Sequence, residues 1–202
     1  MSESIEFYFD FSSSYSYVAH RKIEDLAGEL GLSLHWKPIS LGAIFTALEH
    51  RLPKMGSAKQ KYIWHDVERS AAEQGLPYVW PDPFPMNSIP AMRGFYFLQD
   101  QDPALAKTYA RAVFAAAFGE GRDIARPDIL IGIVERLGFD PESFKAGISS
   151  EDIKTRLKAE TAAAQEKGIF GAPTFLCRGE MFWGADRLAS LEAFIRKTGD
   201  KR

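Results

Sequence analysis

Strand-like alternation of apolar and polar residues is confined almost entirely to the two ends of this chain. Apolar residues recur at every second position across residues 5–11, the pattern of a half-buried strand. A helical repeat follows from about residue 14 to residue 29, and Gly31 can end it. Residues 32–38 then alternate again and stop at a proline. The first forty residues therefore predict a β-α-β unit.

The middle of the chain has the repeat of helices instead. Helical stretches cover about residues 102–118, 126–137 and 151–167, and the first and last of them are rich in alanine. A proline-rich passage at residues 77–90 cannot continue a helix and predicts an ordered surface loop. The alternation returns after Gly168.

The last part of the chain predicts a hairpin and a helix. Two short alternating runs, residues 174–177 and 180–183, flank the turn Arg178-Gly179. A last helix is expected from about residue 185 to residue 197.

The order β-α-β, helical block, β-β-α is the thioredoxin arrangement split by an insertion. We therefore expect an α/β, thioredoxin-like fold with a large all-helical insertion. Residues 1–40 plus 168–202 would form the thioredoxin-like domain, and residues 41–167 the helical insertion domain.

The charge balance and the few metal-binding side chains exclude several classes of function. The 202 residues carry 25 Lys and Arg against 27 Asp and Glu, a net charge of −2. The chain therefore lacks the excess of basic residues that is typical of proteins that bind nucleic acid or anionic lipid. The only cysteine, Cys177, excludes an intramolecular disulfide and a cysteine-based zinc site. Four histidines without ligand spacing argue against a metal centre.

The chain also lacks the signals of export and membrane insertion. Its first six residues have no basic segment followed by an apolar run, and no stretch approaches the roughly 20 apolar residues that span a bilayer. We expect a cytoplasmic protein whose partners are small molecules, with no nucleic acid and no membrane.

Four of the five residues 12–16 are serine, directly after the first predicted strand. Serine is a common N-cap, so one interpretation is that Ser12 or Ser13 merely caps the predicted helix. The segment "FDFSSSYSY", together with "GIFGAPTFLCRGEMFWGADRL" far downstream, resembles the 2-hydroxychromene-2-carboxylate isomerases and the related kappa-class glutathione transferases. Both belong to the DsbA-like branch of the thioredoxin superfamily. The segments "SAKQKYIWHDVERSA" and "FPMNSIPAMRG" resemble the same family.

This resemblance implies that glutathione is the cofactor and Ser13 the catalytic residue. Redox members of the fold carry Cys-x-x-Cys where this chain has Ser13-Ser14-Tyr15-Ser16. A bound thiol would occupy the vacated position at the helix N-terminus, where the dipole favours a thiolate, and Ser13 would donate a hydrogen bond to it. The family usually has proline in place of Ser14, a departure that frees one backbone N–H and loosens the turn.

The resemblance also implies which residues hold glutathione. The Ala172-Pro173 bond would be cis and would present the backbone of Ala172 to the cysteinyl part; a trans proline is the ordinary alternative. Asp186 would accept from the γ-glutamyl ammonium, although an acid here also serves as a helix cap. Arg187 would pair with the ligand or with a surface acid, and Lys59 would contact glutathione or the substrate.

The aromatic substrate would be contacted from the helical insertion. His50, Asn87 and Arg93 match positions that would cover the cleft, and Lys59 and Arg93 are candidates for a pyruvate carboxylate or enolate. For each of these side chains, plain exposure to solvent is the alternative. By the same resemblance the protein would be a homodimer.

The activity implied is glutathione-dependent isomerisation of 2-hydroxychromene-2-carboxylate, through transient addition of the thiolate, to trans-o-hydroxybenzylidenepyruvate or a close aromatic analogue. A kappa-class-like glutathione transferase would need the same thiol site. A non-catalytic thioredoxin-fold binding protein is the alternative from another class, because fold does not decide function.

We expect the protein to have no disulfide reductase or oxidase activity of its own. Ser13 and Ser16 cannot form a disulfide, and Cys177 falls within an apolar strand. Reduction of insulin by dithiothreitol should proceed at the uncatalysed rate in its presence, and turnover above that rate would contradict the prediction.

Overall fold

The computed structural model describes residues 4–199 as one four-stranded sheet with helices around it. The chain begins with β1 (Ser4–Phe9), α1 (Ser14–Glu29) and β2 (Ser33–Pro38). The next helices are α2 (Leu41–Ala47), α3 (Ala58–Glu73), α4 (Ile89–Gln101), α5 (Pro103–Phe114), α6 (Pro127–Arg136), α7 (Pro141–Ser149) and α8 (Glu151–Glu166). A π-helical turn, Ala115–Gly119, follows α5. The chain ends with β3 (Thr174–Cys177), β4 (Glu180–Trp183), a 3₁₀ turn (Ala185–Arg187) and α9 (Leu188–Gly199).

The strand order is β2-β1-β3-β4. β1 pairs in parallel with β2 and antiparallel with β3, and β3 pairs antiparallel with β4. All strands within residues 4–199 come from the two ends of the chain. The predicted fold class, thioredoxin-like with a helical insertion, is confirmed. The division into two domains at residues 40 and 168 stays a prediction.

Three local expectations need adjustment. The helical stretch predicted at residues 102–118 is α5 followed by the π-helical turn. The proline-rich passage ends at Ser88, because Pro90 takes a position in the first turn of α4 where its missing N–H costs nothing. This passage is also less superficial than expected, since Met86 and Ser88 are buried.

A cluster of aromatic rings joins the sheet to the insertion. The Phe9 ring lies 5.0 Å from that of Phe7 and 5.3 Å from that of Trp36, both on the sheet. It also lies 5.9 Å from the Phe95 ring on α4 and 5.6 Å from the Phe114 ring on α5. Each such ring contributes about 1.5–3 kcal/mol by burial. The two parts of the chain therefore share one hydrophobic core.

Helix α4 packs against α5 and α7 through Gly94. A Cβ at this position would lie 2.5 Å from the Tyr109 hydroxyl oxygen and 2.6 Å from Cζ of Phe144. Both side chains are buried. Helices α5 and α7 approach α4 this closely because position 94 has no side chain.

Gly94→Ala should therefore lower the free energy of unfolding by about 1–3 kcal/mol, because neither buried ring can move without strain. Gly28→Ala is the matched control: a Cβ there meets nothing within 4 Å, so alanine should be neutral or stabilise α1 by up to about 1 kcal/mol. Urea unfolding followed by far-UV circular dichroism measures both. Equal effects of the two substitutions would show that the packing at Gly94 is unimportant.

His20 is a buried histidine on the inner side of α1. Its ring lies 5.5 Å from that of Tyr17 and 5.1 Å from that of Phe114, and its Nδ1 contacts the Tyr17 carbonyl oxygen. Burial lowers the pKa of His20 below the usual value, and the hydrogen bond to Tyr17 opposes this only in part.

Because the lowered pKa favours the neutral ring in the folded state, His20 stabilises the protein above about pH 6.5, the pKa of an unfolded histidine, and this stabilisation is lost as the pH falls. Urea unfolding from pH 7.5 to pH 5 should show decreasing stability, and His20→Gln should weaken that dependence. His65→Gln is the control, since His65 is exposed. An unchanged pH dependence in His20→Gln would refute the assignment.

Candidate active site

The Ser13 hydroxyl makes two hydrogen bonds at the start of α1. It accepts one from the backbone N–H of Ser16 at 3.1 Å, as an N-cap does, and donates the other to the carbonyl oxygen of Ala172 at 3.1 Å. Ser13 is 9% exposed. The capping interpretation is therefore right, but it accounts for only one of the two bonds.

Ala172 and Pro173 form the segment that faces Ser13, just before β3. The bond between them is cis, as predicted. The carbonyl of Pro173 accepts from the backbone N–H of Gly184 at 2.9 Å, which holds the turn after β4 beside it. The pairing of β1 with β3 thus brings this segment to the N-terminus of α1.

A cleft of about 640 Å³ opens beside this segment, between α1, α3 and the turn after β4. We call it the α1–α3 cleft. Its lining residues come from α1 (Tyr15, Val18, Lys22), from α3 and its C-terminal end (Tyr62, Asp66, Ser70, Glu73, Gln74), and from the segments just before β3 (Ala172, Pro173) and at the end of β4 (Trp183–Arg187). Ser13 lies behind this wall, one hydrogen bond from Ala172.

Asp186 and Arg187 line the cleft and pair with each other. The Arg187 guanidinium donates to the Asp186 carboxylate at 2.6 Å, and both side chains are largely exposed. Gly184 allows this arrangement: its φ is +114°, and a Cβ there would lie 2.5 Å from Oδ1 of Asp186. Arg187 was expected to pair with the ligand or with a surface acid. In this structure it pairs with the adjacent acid, Asp186.

The opposite wall carries a hydrogen-bonded group that sequence reasoning missed. The Tyr15 hydroxyl donates to one oxygen of Asp66 at 2.8 Å, and Arg69 donates to the other at 2.8 Å. The pKa of Asp66 is lowered, first by the bond from Arg69 and then by that from Tyr15. Burial, followed by the bond to Asp66, raises the pKa of Tyr15, so its hydroxyl stays a donor. The available signals were that Tyr15 lies among the serines and Asp66 in the segment "KYIWHDVERSA".

A second missed residue, Asp10, lies directly below the Ser13 turn. Its carboxylate is buried at 2% exposure and accepts hydrogen bonds from Ser12, Ser88 and the backbone N–H of Leu41. The signal was an aspartate between two phenylalanines at the end of an apolar strand, where a charged residue needs buried partners.

Besides Ser13, which contacts the cleft only through Ala172, four predicted residues lie outside the α1–α3 cleft. Lys59 is exposed in the first turn of α3, and His50 follows α2 with its ring 4.6 Å from that of Phe45. Asn87 is exposed, and its side-chain oxygen accepts from the backbone N–H of Ile89. Their roles stay predictions.

Arg93 is the fourth of these residues and lies on α4. Its Nε is buried without a hydrogen-bond partner in the part of the chain that the structure describes. The pKa of Glu151 is lowered mainly by its bond to Lys154 and to a small degree by the charge of Arg93. Arg93 is therefore near the start of α8, and its proposed role also stays a prediction.

Residues 4–199 contain no group of three or more histidine, cysteine, aspartate or glutamate side chains that could hold a metal ion. None of the described helices is long and apolar enough to cross a bilayer.

Comparison with known proteins places the chain in a family. Residues 4–196 match the DSBA-like thioredoxin domain. The 2-hydroxychromene-2-carboxylate isomerase of Pseudomonas putida is 35% identical over 191 residues, which cover 94% of this chain and 92% of that protein. Glutathione S-transferase kappa 1 of Caenorhabditis elegans is 26% identical, over 91% of this chain and 86% of that protein.

A solved structure agrees with these sequence relatives. The structure of selenomethionine 2-hydroxychromene-2-carboxylate isomerase superposes with a TM-score of 0.87 at 33% identity and covers 98% of both chains. Sequence identity, coverage and fold thus agree over nearly the whole length. The chain belongs to the 2-hydroxychromene-2-carboxylate isomerase family, within the DSBA-like thioredoxin domain family.

Proposed function

We propose that this protein is a glutathione-dependent isomerase that interconverts 2-hydroxychromene-2-carboxylate and trans-o-hydroxybenzylidenepyruvate, or a close aromatic analogue. The isomerase names of its relatives support the reaction class. The observation that carries the thiol part is the Ser13 hydroxyl, held at the N-terminus of α1 one hydrogen bond from the segment at the cis proline.

The backbone beside the cis proline suits a peptide-like thiol. Ala172 lines the α1–α3 cleft, and its backbone N–H has no hydrogen-bond partner among residues 4–199. An extended ligand can pair with this N–H and with the carbonyl of the same residue, as an added strand does. We assign the cysteinyl part of glutathione to this position.

The charged end of the cleft suits the γ-glutamyl group. Asp186 is exposed and can accept from an ammonium, while its present partner Arg187 can move to a carboxylate. This exchange costs little, because an exposed ion pair is worth only about 0–1 kcal/mol. Lys59 keeps its proposed role toward glutathione or the substrate.

Ser13 would act on the sulfur. Glutathione held at Ala172 and Asp186 would supply a thiolate, the nucleophile that a cis–trans isomerisation of a conjugated double bond needs and that is regenerated unchanged. The N-terminus of α1 lowers the pKa of a thiol placed there. The Ser13 hydroxyl can turn its hydrogen from Ala172 to the sulfur while its oxygen still accepts from Ser16, so the oxygen keeps its position when the hydrogen turns.

The substrate would lie on the side of the helical insertion. His50, Asn87 and Arg93 are the residues proposed to contact it, with Lys59 and Arg93 toward the carboxylate or enolate oxygen. The homodimer and the cytoplasmic location stay predictions.

A kappa-class-like glutathione transferase is the second candidate, favoured by the match to the kappa enzyme of Caenorhabditis elegans. It would use the same thiolate and release the conjugate. Product analysis separates the two: an isomerase returns glutathione unchanged, whereas a transferase consumes it. A non-catalytic binding protein would give neither result.

Ser13→Ala should lower the isomerisation rate about ten- to a hundredfold at neutral pH, because one hydrogen bond to a charged group is worth roughly 1.5–3 kcal/mol. The loss should be smaller in alkali, since the bound thiol would ionise at higher pH without the hydroxyl. Glutathione binding, measured by calorimetry, should stay nearly intact, because the contacts at Ala172 and Asp186 remain. The rate is measured from the change in absorbance as 2-hydroxychromene-2-carboxylate is converted to trans-o-hydroxybenzylidenepyruvate.

Ser16→Ala is the matched control for this experiment. Its hydroxyl oxygen is buried without a partner within the described residues, so its removal should change the rate much less. A wild-type rate and pH profile in Ser13→Ala would show that the serines are only caps. Absence of glutathione binding to the wild-type protein would reject the proposed cofactor.

A further inference from the structure

Asp10 is a buried carboxylate whose hydrogen-bond partners are all neutral. Its Oδ1 accepts from the backbone N–H of Ser12 at 2.8 Å, from the Ser12 hydroxyl at 2.9 Å and from the Ser88 hydroxyl at 2.5 Å. Its Oδ2 accepts from the backbone N–H of Leu41 at 2.8 Å. A carboxylate has about four acceptor sites, and four donors use this capacity. Nothing in the proposed mechanism uses this residue.

These bonds join three distant segments of the chain. Ser12 lies in the turn that enters α1, Leu41 is the first residue of α2, and Ser88 immediately precedes α4. The backbone carbonyl of Asp10 also accepts from the N–H of Ser13 at 2.9 Å. The turn from Asp10 to Ser13 is therefore held both by its own backbone and by the N-terminal ends of two helices of the insertion.

The contact from Ser88 has no explanation in helix capping. Ser88 occupies the N-cap position of α4, but its side chain makes no capping hydrogen bond and donates to Asp10 instead. At the N-caps of α1, α2, α3 and α8, by contrast, the serine side chain accepts from a backbone N–H of its own helix. The hydroxyl of Ser88 thus stabilises the turn from Asp10 to Ser13 and does not cap its own helix.

We propose that Asp10, together with Ser88, is a positioning residue for the isomerase reaction: it anchors the Ser13 turn to the insertion and thereby fixes the Ser13 hydroxyl relative to the sulfur. This inference rests on the proposed function. Asp10 touches neither the substrate nor glutathione in this scheme. Its effect on the rate passes through Ser13, since a misplacement of about 1 Å can lower a rate as much as a hundredfold.

The test uses Ser88→Ala, which removes one donor to Asp10 and keeps the carboxylate and the backbone hydrogen bond from Ser13 to Asp10. We expect the isomerisation rate to fall roughly tenfold, with glutathione affinity unchanged, because the contacts at Ala172 and Asp186 do not involve Asp10. The pH–rate profile should move upward, in the same direction as in Ser13→Ala, because a misplaced hydroxyl stabilises the thiolate less. A loss of rate that is equal at every pH would contradict positioning.

A double-mutant cycle isolates the coupling between the two serines. If Ser88 acts through Ser13, Ser88→Ala should lower the rate less than about twofold in the Ser13→Ala background. Multiplicative effects would overturn the proposal, and so would a wild-type rate in Ser88→Ala alone. A wild-type rate in Ser13→Ala would reject the proposed function as well.

Two further variants guard against a loss of folding. Ser150→Ala removes the N-cap hydroxyl of α8, which does not contact Asp10, and it should leave the rate and pH profile unchanged. If urea unfolding shows that Ser88→Ala is not folded, Ser12→Ala replaces it in the cycle, because it removes another donor to Asp10 and keeps the backbone bond. The same outcomes then support or overturn the proposal.

Discussion

The antiparallel pairing of β1 with β3 is the contact on which the rest of this structure depends. It joins the first strand of the chain to a strand that follows the whole helical insertion, and it places Ala172 one hydrogen bond from Ser13, 159 residues away in sequence. Neither residue has the proposed function alone. A serine at a helix N-terminus is only a cap until a second backbone segment, here Ala172 with its unpaired N–H, lies opposite it.

The helical insertion is tied to this pairing by two kinds of contact. Aromatic rings from α4 and α5 pack against Phe9 on β1, so displacing the insertion would expose apolar surface. The carboxylate of Asp10 holds Ser88 and Leu41 by directional hydrogen bonds. Apolar packing is non-directional and sets the distance between layers. The hydrogen bonds to Asp10 fix how the helices of the insertion are placed relative to the turn. The loss of one donor is unfavourable, because it leaves a buried carboxylate oxygen without a hydrogen bond.

The N-terminus of α1 favours an anion although its first turn carries serines and no cysteine. The helix dipole and the free N–H groups of the first turn favour an anion whatever residue stands there. The α1–α3 cleft adds two carboxylate–guanidinium pairs, Asp66 with Arg69 and Asp186 with Arg187, beside the proposed thiol position. In the proposed function, this helix end stabilises a sulfur that arrives on a charged peptide.

The sequence by itself determined the strands and helices at the two ends of the chain and the helical character of the block between them. Local periodicity predicted α1, β2 and the β3–β4 hairpin closely, because apolar spacing and turn residues act over a few positions. The resemblance in two terminal segments pointed to Ser13, Pro173 and Asp186. Only the tertiary structure showed that Asp10 links three segments and that Tyr15 bonds to Asp66, because these partners are far apart in sequence. It also placed Lys59, His50, Asn87 and Arg93 outside the cleft, since the direction of an exposed side chain depends on how whole helices pack and leaves no periodic signal in the sequence.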